Sequence, residues 1–326
     1  MSHGHLDQQA GLAGPRAAPH LQHSPAQRIQ RRGDLAGIRL PVLRHDAMTP
    51  LPSDNPGEGW HHRRVNSDHR LHVHRYGPDG PIQLLAVHGL TGHGARWRHV
   101  AGYLPETTVA APDLIGHGHS SWAAPWTIDA NVAALTGLLE GGAGGPVVVV
   151  GHSFGGAIAL HLAAARPDLV HSVVLLDPAI GLDGHWMAEI AAAMLASPDY
   201  PDAAEARAEK ANGGWSDVDP ALLDAELAEH LVALPGGRCG WRISVPAMMS
   251  YWSELARPLV LPRSTPTTLL RATRTSPPYV GTRLIEALQT RLCTNFQLVD
   301  LDCNHMVDQA RPAEVAAVIH DRLARN

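Results

Sequence analysis

One serine in this sequence is placed where its hydroxyl could act as a nucleophile. Ser153 lies between Gly151 and Gly155, directly after four consecutive valines at 147–150. Glycines on both sides of a serine permit a sharp backbone turn and the close approach of neighbouring segments. A serine hydroxyl is a poor nucleophile at neutral pH, so covalent catalysis also needs a histidine to take its proton and a carboxylate to orient that histidine.

The elements around Ser153 predict a strand, a turn and a helix. The valine run predicts a strand buried on both faces, as in a parallel sheet that is covered by helices. Residues 155–166 predict a helix that Pro167 ends. Further apolar strands alternate with helices and are predicted at 82–87, 107–111, 171–178, 267–272 and 295–301. This alternation predicts right-handed crossovers and a doubly wound, mainly parallel α/β sheet.

Together these features resemble the α/β-hydrolase superfamily. The resemblance rests on the glycine-flanked Ser153 between a strand and a helix, on a His88-Gly89 turn upstream, and on a histidine after the last strand. It covers most of the chain from about Gly59. It implies an α/β-hydrolase fold without a cofactor or metal, in which a nucleophile elbow lifts Ser153 above the sheet.

The resemblance also implies a base and an acid. The family places its histidine just after the final strand and after the serine in chain order, a position that His305 occupies. The acid usually follows the strand at 267–272, but no carboxylate occurs there before Glu286. Some members place the acid after the strand that follows the elbow helix, which implies Asp177. Asp302, three residues before the histidine, is the alternative.

An oxyanion forms when a serine attacks a carbonyl carbon, and it needs preorganised hydrogen-bond donors. Backbone amides suit this role because they require no reorganisation during the reaction. The N–H of Phe154, at the head of the helix after the serine, is one candidate. The N–H of Leu90 is the other, since Gly89 allows the backbone of that turn to face the site.

Hydrophobic patterning divides the chain into four predicted segments. Residues 1–56 are rich in polar residues, proline and glycine without a sustained period, and we expect a disordered extension, with Met48 as a candidate start. Residues 57–181 and 259–326 are predicted to form the two parts of the α/β core. Between them, at 182–258, the strand pattern lapses and helical segments predict a cap over the serine.

The cap segment combines tryptophans and methionines with many charged residues. The members of this apolar set are Trp186, Trp215, Trp241, Trp252, Met187, Met194, Met248 and Met249. They could form the cap's own core or line an apolar substrate pocket, since such pockets use flat aromatic and adaptable thioether surfaces. The sequence leaves both interpretations open.

Two further motifs have structural interpretations. Asp113 is expected to anchor the amides of the turn that follows it, as short carboxylates do. The glycine-rich run at 141–145 is no phosphate-binding loop, because it lacks a Lys-Ser/Thr ending and precedes a strand. We therefore predict a flexible connector there.

Composition limits the partners. Hydrophobic residues make up 44% and charged residues 17% of the chain, and the net charge is -5, a balance that fits a globular protein and not a nucleic-acid binder. Three cysteines without metal spacing argue against a disulfide framework. No apolar run of about 18 residues predicts a membrane span. We expect a cytoplasmic protein with a small-molecule substrate; the oligomeric state stays open.

The favoured function is a serine hydrolase that cleaves a small to medium, largely apolar carboxylic ester through an acyl-enzyme. Ser153 excludes relatives that use a carboxylate nucleophile to open epoxides or displace halide. Hydrolysis of carbon-carbon, thioester or amide bonds, and perhydrolysis, stay open because the same constellation performs them. A non-catalytic small-ligand binder is the alternative of another class, against which the presence of Ser153 and His305 weighs.

Overall fold

The computed structural model describes residues 69–325. The predicted disordered extension at 1–56, with Met48, lies outside this range. None of the helices in the described part combines the length and the apolar character that crossing a membrane requires.

The nine strands of the described residues form one large sheet and one small hairpin. In chain order they are β1 (Val73–Tyr76), β2 (Ile82–Val87), β3 (Val109–Pro112), β4 (Ala143–His152), β5 (Val170–Leu176), β6 (Leu231–Ala233), β7 (Cys239–Trp241), β8 (Thr267–Ala272) and β9 (Phe296–Leu301). The sheet has the order β1-β3-β2-β4-β5-β8-β9, and β6 pairs with β7. Only β1 runs antiparallel to its neighbour in the sheet. The predicted mainly parallel α/β fold is confirmed.

Ten α-helices connect these strands within residues 69–325. They are α1 (Arg98–Gly102), α2 (Ile128–Gly142), α3 (Phe154–Ala165), α4 (Gly184–Ala196), α5 (Ala203–Ala211), α6 (Pro220–His230), α7 (Val245–Glu254), α8 (Thr282–Leu292), α9 (Val307–Ala310) and α10 (Pro312–Leu323). Helices α2, α3 and α8 contribute to the apolar core on one face of the sheet. Helices α1 and α10 contribute to the core on the other face.

The valine run in β4 explains why helices cover both faces. Val147 and Val149 point into one core, while Val148 and Val150 point into the other, and all four are fully buried. Side chains alternate between the two faces of a strand, so four consecutive apolar residues require an apolar layer on each side. The same run therefore places β4 in the centre of the sheet, directly before the serine.

The prediction of a flexible connector at 141–145 is wrong. Helix α2 continues to Gly142, and β4 begins at Ala143, which pairs with Ile82. A Cβ atom on Gly142 would lie 2.9 Å from Ile82 Cδ1. The absent side chain of Gly142 thus lets the helix end close against β2, and the segment is a direct junction between two elements.

The segment between β5 and β8 contains helices α4 to α7, as predicted, and also the hairpin β6–β7, which the sequence did not predict. Each hairpin strand has three residues, too few to show an alternating pattern. Helix α7 binds the core through Tyr251, whose hydroxyl donates to Ile115 O at 2.9 Å and accepts from Asn131 Nδ2 at 2.9 Å. We interpret this segment as the cap; its boundaries at 182 and 258 stay predictions.

Candidate active site

The candidate residues lie at one edge of the sheet, where the parallel strands have their carboxyl ends. Register pairs near this edge are Val87 with Gly151, His152 with Leu176, Leu176 with Leu270, and Ala272 with Leu301. The segments that leave these strands carry Leu90, Ser153, Asp177 and His305. The four predicted residues therefore share one edge of the sheet. Ligands of open α/β sheets bind at this edge.

Ser153 occupies a strained turn between β4 and α3. Its φ of 53° and ψ of -118° lie outside the regions that residues with a side chain normally adopt. The flanking glycines are required by space: a Cβ on Gly151 would lie 2.3 Å from Gly155 O, and one on Gly155 would lie 2.2 Å from Val87 O. The sharp turn therefore depends on these glycines, and it leaves Ser153 8% exposed.

His305 and Asp177 form a direct hydrogen bond. His305 Nδ1 lies 2.6 Å from Asp177 Oδ2, and because an ionised carboxylate only accepts, the imidazole donates. Asp177 is 1% exposed, and its carboxylate also accepts from Ala272 N and from Thr275 Oγ1, each at 3.3 Å. With Nδ1 engaged in this way, Nε2 of His305 carries the free lone pair of a general base.

Asp302 lies elsewhere. Its side chain is 86% exposed and forms an ion pair with Arg274 Nε at 3.3 Å, while its backbone carbonyl accepts from Arg311 Nη2 at 2.6 Å. The structure thus brings Asp177, and not Asp302, to the imidazole of His305.

Two aromatic residues hold His305 on its other sides. His152 Nε2 donates to His305 O at 2.7 Å, and the two rings are 4.7 Å apart. Burial lowers the pKa of His152 to about 4, so this ring is neutral at pH 7. The ring of Tyr279 lies 4.3 Å from that of His305. Tyr279 follows two prolines in a loop, and no sequence signal pointed to it.

Ser153 directly follows His152, so these contacts place His305 beside the serine turn. The hydrogen bonds among residues 69–325 include the one between His305 and Asp177 but none between Ser153 and His305. Hydrogen bonds between nucleophile and base are often long without substrate. The arrangement therefore brings the predicted base and acid together and leaves the predicted nucleophile adjacent to them.

The turn after β2 lies against the serine. A Cβ on Gly89 would be 2.9 Å from Ser153 Cβ, so the turn approaches the nucleophile without a side chain between them. His88 fixes the turn, donating from Nδ1 to Gly89 O at 2.8 Å and accepting at Nε2 from Leu114 N at 2.9 Å. Burial lowers the pKa of His88 well below its ordinary value, in agreement with the neutral ring that this pattern requires.

The two predicted oxyanion donors belong to the two segments that form this contact. Leu90 follows Gly89 in the turn and is half-buried. Phe154 is the first residue of α3, and the first N–H groups of a helix have no partner within the helix. The helix dipole adds partial positive charge at the same place. Both amides therefore come from elements that meet at Ser153.

Comparison with known proteins agrees with this architecture. The sequence profile of the alpha/beta hydrolase family matches residues 84–318. The chain belongs to this family.

Two named proteins and one solved structure are also similar to this chain. The chain is 66% identical over 254 residues to a protein of Mycobacterium tuberculosis H37Rv named Lipase LipV, a match that covers 78% of this chain and 97% of that protein. It is 30% identical over 187 residues to the mouse protein named sn-1-specific diacylglycerol lipase ABHD11, covering 54% of this chain and 61% of that protein. The solved structure of E-2-(acetamidomethylene)succinate hydrolase shares the fold, with a TM-score of 0.68, 22% identity, and coverage of 79% and 96%.

In this hydrolase a buried cluster of charges connects the cap to the turn after β2. We call it the Glu226 cluster; it consists of Glu226, His93, Arg96 and Lys210. Glu226, on α6, lies 2.8 Å from His93 Nε2, 3.0 Å from Arg96 Nε and 2.6 Å from Lys210 Nζ. Arg96 Nη2 also donates to Thr91 O at 3.1 Å. Glu226 in the cap thus holds Arg96, and Arg96 in turn donates a hydrogen bond to the turn that carries Leu90.

Electrostatics explain why these charges stay ionised in the interior. Burial alone would raise the pKa of Glu226, but Arg96 and Lys210 lower it well below its ordinary value. Burial lowers the pKa of Lys210 to about 8 against the opposing attraction of Glu226. The ammonium group lies 4.0 Å from the Trp241 ring centre and 4.8 Å from that of Trp215. Sequence analysis missed this cluster, because its members come from distant segments without a motif.

We expect Glu226→Gln to lower the free energy of unfolding by about 3–5 kcal/mol, since it leaves Arg96 buried without its counter-charge. Lys210 can release its proton, but a guanidinium cannot. Urea denaturation followed by circular dichroism measures the change. The matched control is Glu229→Gln on the same helix: Glu229 is 39% exposed and lies 4.0 Å from Arg98, so its loss should cost less than about 1 kcal/mol. Equal losses in the two variants would contradict a special role for the buried carboxylate.

Proposed function

We propose that this chain is a serine esterase that cleaves small to medium, largely apolar carboxylic esters through an acyl-enzyme, with Ser153, His305 and Asp177 as the catalytic residues. The observation that carries the proposal is the 2.6 Å hydrogen bond from His305 Nδ1 to the buried Asp177, beside the strained turn of Ser153. The names of two relatives, both lipases, support ester bonds as the target.

The proposed reaction has two halves. Ser153 Oγ attacks the ester carbonyl while His305 Nε2 takes its proton, and Asp177 stabilises the imidazolium that forms. The N–H groups of Leu90 and Phe154 donate to the oxyanion. When the intermediate collapses, the proton of His305 passes to the departing alcohol. Water, activated by the same imidazole, then attacks the acyl-enzyme and releases the acid and the free serine.

Aromatic groups next to the base support an apolar substrate. Trp186, on the cap helix α4, stacks on Tyr279 with ring centres 5.3 Å apart, and Tyr279 in turn contacts His305. Both side chains are half-buried. Flat apolar surfaces beside a few polar groups are typical of ligand pockets. Trp186 packs against the apolar core, and its stacking on Tyr279 beside His305 also supports a pocket role for it.

A substrate series tests the bond preference. We expect kcat/KM for p-nitrophenyl esters with short to medium acyl chains to exceed that for an acyl thioester of the same chain length and for a ring-cleavage dienone. The reason is that Ser153, a base and two amide donors suffice for an activated ester, while carbon-carbon cleavage also requires a group that protonates a carbanion. A higher kcat/KM with the thioester or the dienone would replace esterase by thioesterase or carbon-carbon hydrolase.

A further inference from the structure

A second cluster of metal-ligating side chains lies outside the serine site, at the edge of the sheet. Its members are His72, directly before β1, His74 on β1, and Asp113, directly after β3. One ligand atom from each lies within 4.8 Å of the others. His72 is exposed, His74 is half-buried and Asp113 is buried, so the cluster extends from the interior to the surface. Nothing in the proposed esterase reaction uses the two histidines.

Backbone pairing preorganises the three residues. Strands β1 and β3 are antiparallel neighbours in which Val73 pairs with Pro112, and Asp113 N donates to His72 O at 2.8 Å. His72 N donates to Ser120 Oγ at 2.8 Å. Residues two apart in an extended segment point to the same side. Both imidazoles therefore lie on the same side of the extended segment, next to the Asp113 carboxylate.

The spacing of two of the ligand atoms is compatible with a shared tetrahedral metal ion. His74 Nε2 and Asp113 Oδ1 are 3.3 Å apart, whereas the imidazole–carboxylate hydrogen bonds described above are 2.6 and 2.8 Å long. Two ligands about 2.05 Å from a tetrahedral Zn²⁺ are about 3.3 Å from each other. The exposed His72 supplies the third ligand atom, within 4.8 Å of the other two.

The Asp113 carboxylate is already oriented by backbone amides. It accepts from Gly94 N at 2.7 Å through Oδ1 and from His119 N at 2.8 Å through Oδ2, which confirms the predicted anchoring of the turn after it. Hydrogen bonds that hold a ligating carboxylate in place strengthen metal binding.

We propose that His72, His74 and Asp113 form a Zn²⁺ site whose fourth position is taken by water. Two imidazoles, one carboxylate and a water make a ligand set that Zn²⁺ accepts, and imidazole suits the other late divalent metals as well. A surface cleft of about 590 Å³ reaches His72, the outermost of the three residues. The expected consequence is a brace between the edge strand and the turn after β3.

Zinc titration of the full chain tests the site. After treatment with a chelator, the wild-type protein and His72→Ala are titrated with ZnCl₂ by calorimetry, and their melting temperatures are measured with and without Zn²⁺. His72 is chosen because its side chain is exposed and contributes little to folding. We expect His72→Ala to bind Zn²⁺ at least about tenfold more weakly at this site, since the loss of supporting groups alone costs that much. Zn²⁺ should raise the melting temperature of the wild type and leave that of His72→Ala unchanged.

The matched control is His320→Ala, an exposed histidine on α10 that is remote from the cluster in sequence. Both variants retain the histidines that precede residue 69. Zinc bound by those histidines therefore contributes equally to the titrations of the two variants. His320→Ala should behave as the wild type. Three results would each overturn the proposal: no zinc binding by the wild type, equal binding and thermal shift in the wild type and His72→Ala, or an equal loss in His320→Ala.

Discussion

The variant Ser153→Ala is expected to lower kcat for a p-nitrophenyl ester by about 10⁴-fold or more, because triad members act as a unit and the hydroxyl accepts the acyl group. The fold should be preserved. Alanine removes only Oγ, and the close contacts of the turn involve the backbone of Gly151 and Gly155 and the Cβ of Ser153 itself. Steady-state kinetics measure the loss, and circular dichroism checks the fold.

Covalent labelling separates an enzyme from a binder on the same fold. A fluorophosphonate probe should label the wild type and not Ser153→Ala, because only an activated serine reacts with it. Ser197→Ala is the matched control, since Ser197 is an exposed residue after α4, and it should retain both activity and labelling. Folded wild-type protein that stays unlabelled would favour the non-catalytic binder. Activity retained in Ser153→Ala would remove the nucleophile assignment.

The variant Asp177→Asn is expected to lower turnover by up to about 10⁴-fold while preserving shape. The carboxylate at His305 Nδ1 holds the imidazole in the tautomer that leaves Nε2 free, and it stabilises the imidazolium; an amide can do neither. Asparagine has the same size as aspartate and can still accept from Ala272 N. Kinetics with the same ester measure the effect, with circular dichroism to confirm that the turn into the cap is intact.

Asp302→Asn is the control for this variant. Asp302 is highly exposed and pairs with Arg274, so its replacement should change turnover and stability little. The reversed result, with turnover lost in Asp302→Asn and kept in Asp177→Asn, would make Asp302 the orienting acid. If neither variant loses activity, the site operates as a serine–histidine dyad, and the proposed role of Asp177 is wrong.

Local sequence determined the elements that position the site. Consecutive valines can be buried on both faces only in a central strand, and glycines on both sides of Ser153 allow a turn that other residues would block. These patterns are short-range, so the sequence alone indicated them. For the same reason the limits of β2 and β8 agree with their predicted ranges. The glycine run at 141–145 was misinterpreted because Ile82, which pairs with this segment, is distant in sequence.

Only the tertiary structure decided which groups meet. The sequence offered two acids for His305: Asp177 through the family resemblance and Asp302 through its position three residues before the histidine. In the structure the Asp177 carboxylate lies at His305 Nδ1, and the Asp302 side chain is exposed to solvent. The Glu226 cluster could not be predicted, because a buried charge looks like a surface charge in the sequence until the fold supplies its partners. The Asp177–His305 pair and the Glu226 cluster share one physical reason. Their packing and dielectric environment depend on contacts between residues more than 100 positions apart, and no local sequence pattern encodes such contacts.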